Sequence, residues 1–251
     1  MMGAGDFDYE THGAGYARQR RGDARIAASI LAMLGEARTV LNVGAGAGSY
    51  EPADRYVLAV EPSRMMRAQR PASAAPAVAA FAENLPFDDA AFEAAMAINT
   101  VHQWSDMDAG LRELRRVTRG PVVVMAADGA ALSSWWLNDY APEVIVAEQE
   151  RCVPVRRIAQ GLGGNTTVMI VRIPLDCTDG FTEAFYGRPE RLLDPAVRSA
   201  QSSWRFAQAG VEARFVESLS RDLSSGRWDE RYGHLRSQPT FAGPLRFIVS
   251  R

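Results

Sequence analysis

Lysine is absent from the 251-residue sequence: all 28 basic side chains are arginine, set against 30 acids for a formal net charge of −2. We read this deficit as a bias toward GC-rich codons with no bearing on mechanism. The lack of a cationic surplus does matter, because displacing the counterions of a nucleic acid or an anionic membrane requires one. Neither is expected as a partner, and a small neutral or mixed-charge ligand is. Cysteine is scarce too. Cys152 and Cys177 form neither a CxxC pair nor a disulfide framework, so a reducing cytoplasm is the expected setting and no structural metal is expected. No run reaches the roughly 18 apolar residues of a membrane span. The first residues, MMGAGDFDYE, lack a basic segment followed by an apolar one, so neither insertion nor secretion is expected.

What is present is an alternation of apolar runs and amphipathic segments, and at this length a single domain is expected. Ile26, Ile30, Met33 and Leu34 recur at helical spacing between Asp23 and Gly35, which predicts a helix over 23–35. TVLNV (39–43) and YVLAVE (56–61) read as buried parallel strands, VAAF (78–81) and EAAMAIN (93–99) as two more, and PVVVMAA (121–127) as the most strand-like run. DMDAGLRELRRV (106–117) is an amphipathic helix. The pattern predicts an α/β fold with a doubly wound, mostly parallel sheet.

Beyond Asp128 the pattern changes. Helices are expected within 135–150 and 155–163, a strand over 166–175, a helical, aromatic-rich stretch over 181–232, and a closing strand over 244–250. A helical insertion between the last strands would cover the carboxyl ends of the sheet, where open α/β folds bind ligands. The Ala/Pro stretch 71–80 reads as a surface connection.

VLNVGAGAGSY places Gly44, Gly46 and Gly48 directly after a strand. Glycine there admits positive φ and lets a ligand approach without meeting a Cβ. A nicotinamide-binding loop requires a third glycine where Ser49 stands. The second strand ends on Glu61, whose carboxylate can accept from both hydroxyls of a ribose. Glu61 lies 13 positions after Gly48, nearer than the roughly 20 of dinucleotide folds, so the intervening segment, interrupted by Pro52, has room for little more than a turn.

On these residues, about 9–128, the chain resembles the class I S-adenosylmethionine-dependent methyltransferases, in particular the group of ubiquinone/menaquinone and trans-aconitate methyltransferases. Asn42 stands where that family has an acid two residues before the glycines, and Phe81 where it has the Asp of its adenine-flanking loop; Ala82, Glu83, Leu85, Pro86 and Phe87 follow the family pattern. VHQW (101–104) resembles the segment in which a His or aromatic residue borders the methyl-donor site. Tyr16 and Arg20 resemble an N-terminal pair whose Arg holds the cofactor carboxylate, a bidentate task that suits Arg.

The resemblance implies a Rossmann-like methyltransferase domain, with 1–128 as cofactor-binding half, 129–243 as substrate and lid region and 244–251 as closing strand. It implies S-adenosylmethionine on Arg20, Asn42, Gly44, Ala45, Gly46, Gly48, Glu61, Pro62, Ala82, Glu83, Leu85 and Asn99, with adenine held by the backbone near Ala82 and by Leu85. An apolar acceptor pocket is expected from Tyr16, Trp104, Trp135, Tyr140 and Tyr186. His102, just beyond a strand, is either a general base for the acceptor or a structural histidine. The expected reaction is in-line methyl transfer to a small molecule by a monomer or homodimer, with no metal. Three alternatives stay open: the cofactor as a structural element in a cyclisation, a binding or scaffold protein, and a nicotinamide oxidoreductase. The last is disfavoured by the glycine spacing and the lack of a Tyr/Lys pair.

Overall fold

A computed structural model of the chain describes residues 7–13 and 15–251; the first six residues, part of the N-terminal reading, lie outside them. Nine strands are described: β1 (Thr39–Val43), β2 (Tyr56–Val60), β3 (Ala77–Val78), β4 (Ala94–Ile98), β5 (Val122–Ala127), β6 (Thr166–Ile170), β7 (Ile173–Pro174), β8 (Thr240–Phe241) and β9 (Leu245–Ser250). Seven form one sheet in the order β3-β2-β1-β4-β5-β9-β6, and β7 and β8 pair separately. The first five strands of that order are parallel to their neighbours, and β9 runs antiparallel to both β5 and β6. Strand order reverses between β1 and β4, so the loops after these two strands face a common crevice.

Helices precede and connect the strands. They are α1 (Tyr9–His12), α2 (Tyr16–Gln19), α3 (Ala24–Leu34), α4 (Arg64–Ala68) and α5 (Met107–Arg116), followed in the later region by α6 (Leu137–Tyr140), α7 (Pro142–Arg151), α8 (Val155–Leu162), α9 (Pro195–Ser199), α10 (Ser203–Phe206), α11 (Val211–Ser224) and α12 (Arg227–Tyr232). Local chemistry sets their ends. The Asp23 carboxylate accepts from Arg25 N–H to start α3, and Asp106 accepts from Ala109 N–H to start α5, satisfying donors that have no partner in the first turn.

The strand period of two divides the core. Val123 and Met125 join Ile26 and Ile30 of α3 and the aromatic residues of the later region in one cluster. Val122 and Val124 join Leu111 and Leu114 of α5 and Ile158 of α8 in the other. Leu111, Leu114, Val122 and Val124 are all fully buried, each contributing about 1.5–3 kcal/mol of transfer free energy.

Two elements differ from the sequence expectation. The strand expected over 78–81 narrows to Ala77–Val78, because this edge of the sheet has a ladder partner on one side only. The run 166–175 is two strands: Thr166–Ile170 pairs with β9, and beyond buried Val171 the chain leaves the sheet so that Ile173 pairs with Phe241. Consequently β6 divides the insertion into two segments. Between β1 and β2 there are turns and no helix, as Pro52 and the short span require.

Candidate active site

The glycine loop occupies the crevice. Gly44, Gly46 and Gly48 have φ of 68°, 52° and 93°, which side chains other than glycine adopt only with strain. Gly44 N–H and Ala45 N–H both donate to Val60 O, at 2.9 and 3.0 Å, fastening the loop to the tip of β2. A Cβ on Gly44 would lie 1.9 Å from Thr100 Oγ1, so this glycine admits the loop after β4. Gly48 donates to Ala45 O and faces Arg70 and Ala74.

Glu61 follows β2 and is 7% exposed. One carboxylate oxygen accepts from Gly46 N–H at 2.7 Å and the other from Ser63 N–H at 2.9 Å. Burial raises its pKa, and these two N–H groups act in the opposite direction. The acid therefore holds the loop and presents its remaining lone pairs to the crevice. Asn42 is buried at the end of β1 and donates through Nδ2 to Glu51 at 3.0 Å. Glu51 in turn pairs with Arg70, Nη2 lying 2.8 Å from both oxygens, and both side chains are almost wholly buried. Asn42 Oδ1 remains as an acceptor.

Arg20, just past α2, donates from Nε to Asp179 Oδ1 at 2.7 Å, and Tyr50 OH donates to the other oxygen at 2.8 Å. Its guanidinium lies over Tyr16, 5.3 Å from the ring centroid. Asp179 thus ties the N-terminal segment and the loop after β1 to the later region. Asn99 directly follows β4 with φ of 53°, a left-handed conformation that Asn tolerates better than most residues.

Two adjoining cavities meet here. The larger, of about 1090 Å³, is lined by Arg20, Asn42, Gly44, Ala45, Gly46, Glu61, Pro62, Ala82, Glu83, Asn99, Tyr16 and Trp104, together with Phe81. The smaller, of about 90 Å³, is lined by His102, Trp135, Glu148, Cys152, Glu183 and Gln201, and shares Tyr9, Tyr16, Arg20 and Asn99 with the larger. Four expected site residues line neither cavity. Gly48 turns toward Arg70. Leu85 is a core residue under α5; exposed Phe81 stands at the cavity in its place. Tyr140 donates to Asp222 at 3.1 Å inside the later region, and Tyr186 donates to Gln238 O while stacking on Phe241. Those two aromatics close the core that supports the cavity walls. Sequence reasoning missed Glu51, Asp179, Glu148 and Glu183. Glu51 follows the glycine loop directly, whereas Asp179, so distant in sequence from Arg20, leaves no local signal.

The same architecture recurs among solved structures. A putative methyltransferase from an antibiotic biosynthesis pathway of Anabaena variabilis is 28% identical, with 93% of this chain covering 99% of that one at a TM-score of 0.86. A possible histamine N-methyltransferase from Thermotoga maritima shares the fold at 15% identity, covering 96% of each chain with a TM-score of 0.57. The geranyl diphosphate C-methyltransferase of Streptomyces coelicolor does so at 15% identity, over 90% of this chain and 74% of that one, with a TM-score of 0.50. Residues 41–124 match the family described as methyltransferase domain. No curated protein sequence matches the chain. The sheet order and the glycine crevice define a Rossmann-like fold of the methyltransferase type. Within this fold, residues 41–124 carry the match to the methyltransferase domain, and the cofactor that such a domain implies is S-adenosylmethionine.

The residues present fit that cofactor. The larger cavity has the volume for it, a buried carboxylate with lone pairs suited to ribose hydroxyls, and an arginine and a buried amide at its other wall. Among the described residues no helix is long and apolar enough to cross a membrane.

Proposed function

We propose that the larger cavity holds S-adenosylmethionine and that the smaller one holds the reacting end of a small-molecule acceptor. The observation that carries this reading is the shared wall of Tyr9, Tyr16, Arg20 and Asn99, which sets the two ligands side by side. Glu61 accepts from the ribose hydroxyls, Arg20 and Asn42 hold the amino-acid end, and the adenine lies along Pro62, Phe81, Ala82 and Glu83. When bound, the cofactor supplies an electrophilic methyl group on a sulfonium, which an acceptor lone pair displaces in line. The chain's own contribution is to position the acceptor and to exclude water. Tyr16, over which Arg20 lies, and Trp135 wall the junction of the cavities, and His102 is a proton acceptor for a hydroxyl substrate. The near-neutral net charge supports a small molecule over a nucleic acid, and we place the enzyme in the cytoplasm as a monomer or homodimer.

Calorimetry with S-adenosylmethionine and S-adenosylhomocysteine, followed by a screen of acceptors for release of S-adenosylhomocysteine, tests this. Tight binding lost in Glu61→Ala, with turnover on at least one acceptor, supports it. Binding without turnover on any acceptor moves the protein to a binding or cyclisation role, and no binding removes the cavity assignment.

A further inference from the structure

The smaller cavity contains an acid that methyl-donor binding leaves unused. Glu183 lies in the short 3-10 turn Thr182–Phe185 and is 6% exposed. Among the described residues it takes part in no ion pair and accepts no hydrogen bond from another side chain; its own backbone N–H is the donor that supports its carboxylate. The nearby cations are committed elsewhere. Arg20 is bound to Asp179, and Arg151 lies 3.0 Å from Glu148, the second carboxylate on the cavity wall. A buried carboxylate so placed is costly until a positive charge arrives. Tyr9, Tyr16, Trp135 and Phe181 line the same cavity, and aromatic faces attract cations.

Resting on the methyltransferase reading above, we propose that the acceptor is an amine, which enters the smaller cavity as its ammonium ion with Glu183 as counter-ion. An alcohol would leave a Glu183 carboxylate uncompensated, and a carboxylic acid would set a second negative group against it. The cavity of about 90 Å³, at roughly 15 Å³ for each water-sized group, admits about six such groups, which is a small amine or the amine end of a longer molecule. A nitrogen accepts a methyl group only through its lone pair. One N–H proton of the ammonium therefore passes to a Glu183 oxygen, the N–H electron pair stays on nitrogen, and the neutral amine is left facing the larger cavity. Burial and the neighbouring Glu148 push the Glu183 carboxyl up to about 7, with Arg20 pulling the other way, so its conjugate base is a better proton acceptor than a surface carboxylate.

The test uses the intact protein loaded with S-adenosylhomocysteine and titrated by calorimetry with n-butylamine, 1-butanol or butyrate. We expect butylamine to bind about tenfold more tightly than butanol, with butyrate weakest. Glu183→Gln should erase the amine preference while its S-adenosylhomocysteine affinity matches that of the parent, which shows that the variant is folded; Glu183→Asp should retain the preference. Equal binding of butanol or butyrate overturns the proposal. So does an amine preference that survives in Glu183→Gln, or no butylamine binding at tens of millimolar by a protein that does bind S-adenosylhomocysteine. Failure of the parent protein to bind S-adenosylhomocysteine is a separate result, which removes the cofactor assignment beneath it.

Discussion

Glu183→Gln exchanges a buried carboxyl for a neutral group of nearly the same shape, and its effect on stability should depend on pH in a way that can be worked out. In the folded protein the carboxyl titrates near 7 against an ordinary value of 4.5. A difference of about 2.5 units corresponds to about 3 kcal/mol. Because the folded value is the higher one, the associated stability is fully present below about pH 4.5 and is lost as pH rises through about 7. The parent should therefore lose about 3 kcal/mol relative to the glutamine variant between pH 4.5 and 8. Arg20, Glu148, Cys152 and His102, which line the same cavity, are present in both proteins and cancel to first order. Urea unfolding followed by tryptophan fluorescence across this range, for both proteins, measures the difference directly. Parallel stability curves, or a parent that gains on the variant as pH rises, would refute the burial argument.

Other substitutions test other parts of the site. Glu61→Ala removes the acceptor for Gly46 N–H and Ser63 N–H as well as the proposed ribose contact, and calorimetry should show S-adenosylmethionine affinity reduced by about 1.5–3 kcal/mol. Asp179→Ala leaves Arg20 and Tyr50 OH without their partner and should cost about 3–5 kcal/mol in urea unfolding, with Asp179→Asn less damaging. Gly44→Ala places a Cβ against Thr100 and should destabilise by about 1–3 kcal/mol; if adding Thr100→Gly restores nothing, the contact is not the cause. Tyr140→Phe loses the bond to Asp222 and should lower stability by about 1 kcal/mol while leaving turnover unchanged, and a selective loss of acceptor affinity would return this residue to the pocket.

Much of the N-terminal half was legible because its signals are local. The helix over Ala24–Leu34 has its cap, its apolar spacing and its terminal glycine within one stretch of chain. The strand before the glycine loop is an apolar run buried on both faces, the strand after it is buried at its Ala59–Val60 end, and Ser49 in place of a third glycine separates this loop from a dinucleotide fingerprint. Glu61 was identified by its place at a strand tip, which a strand boundary is enough to specify.

Leu85 shows where local reading stops. Its position in a family-like loop pointed to the cofactor, but the loop turns so that Leu85 enters the core under α5 and Phe81 meets the cavity. Tyr140 and Tyr186 met the same limit, since an aromatic side chain in a helical insertion is equally suited to core and pocket until the packing partner is known. Hydrophobic periodicity and backbone requirements are properties of neighbouring residues, so the sequence by itself determined the sheet, the glycine crevice and the acid beside it. Which charges share a cavity depends on segments far apart in the chain. Only the tertiary structure could pair Arg20 with Asp179, join Asn42 to Glu51 and Arg70, and place Glu183 and Glu148 in one cavity adjoining the glycine crevice.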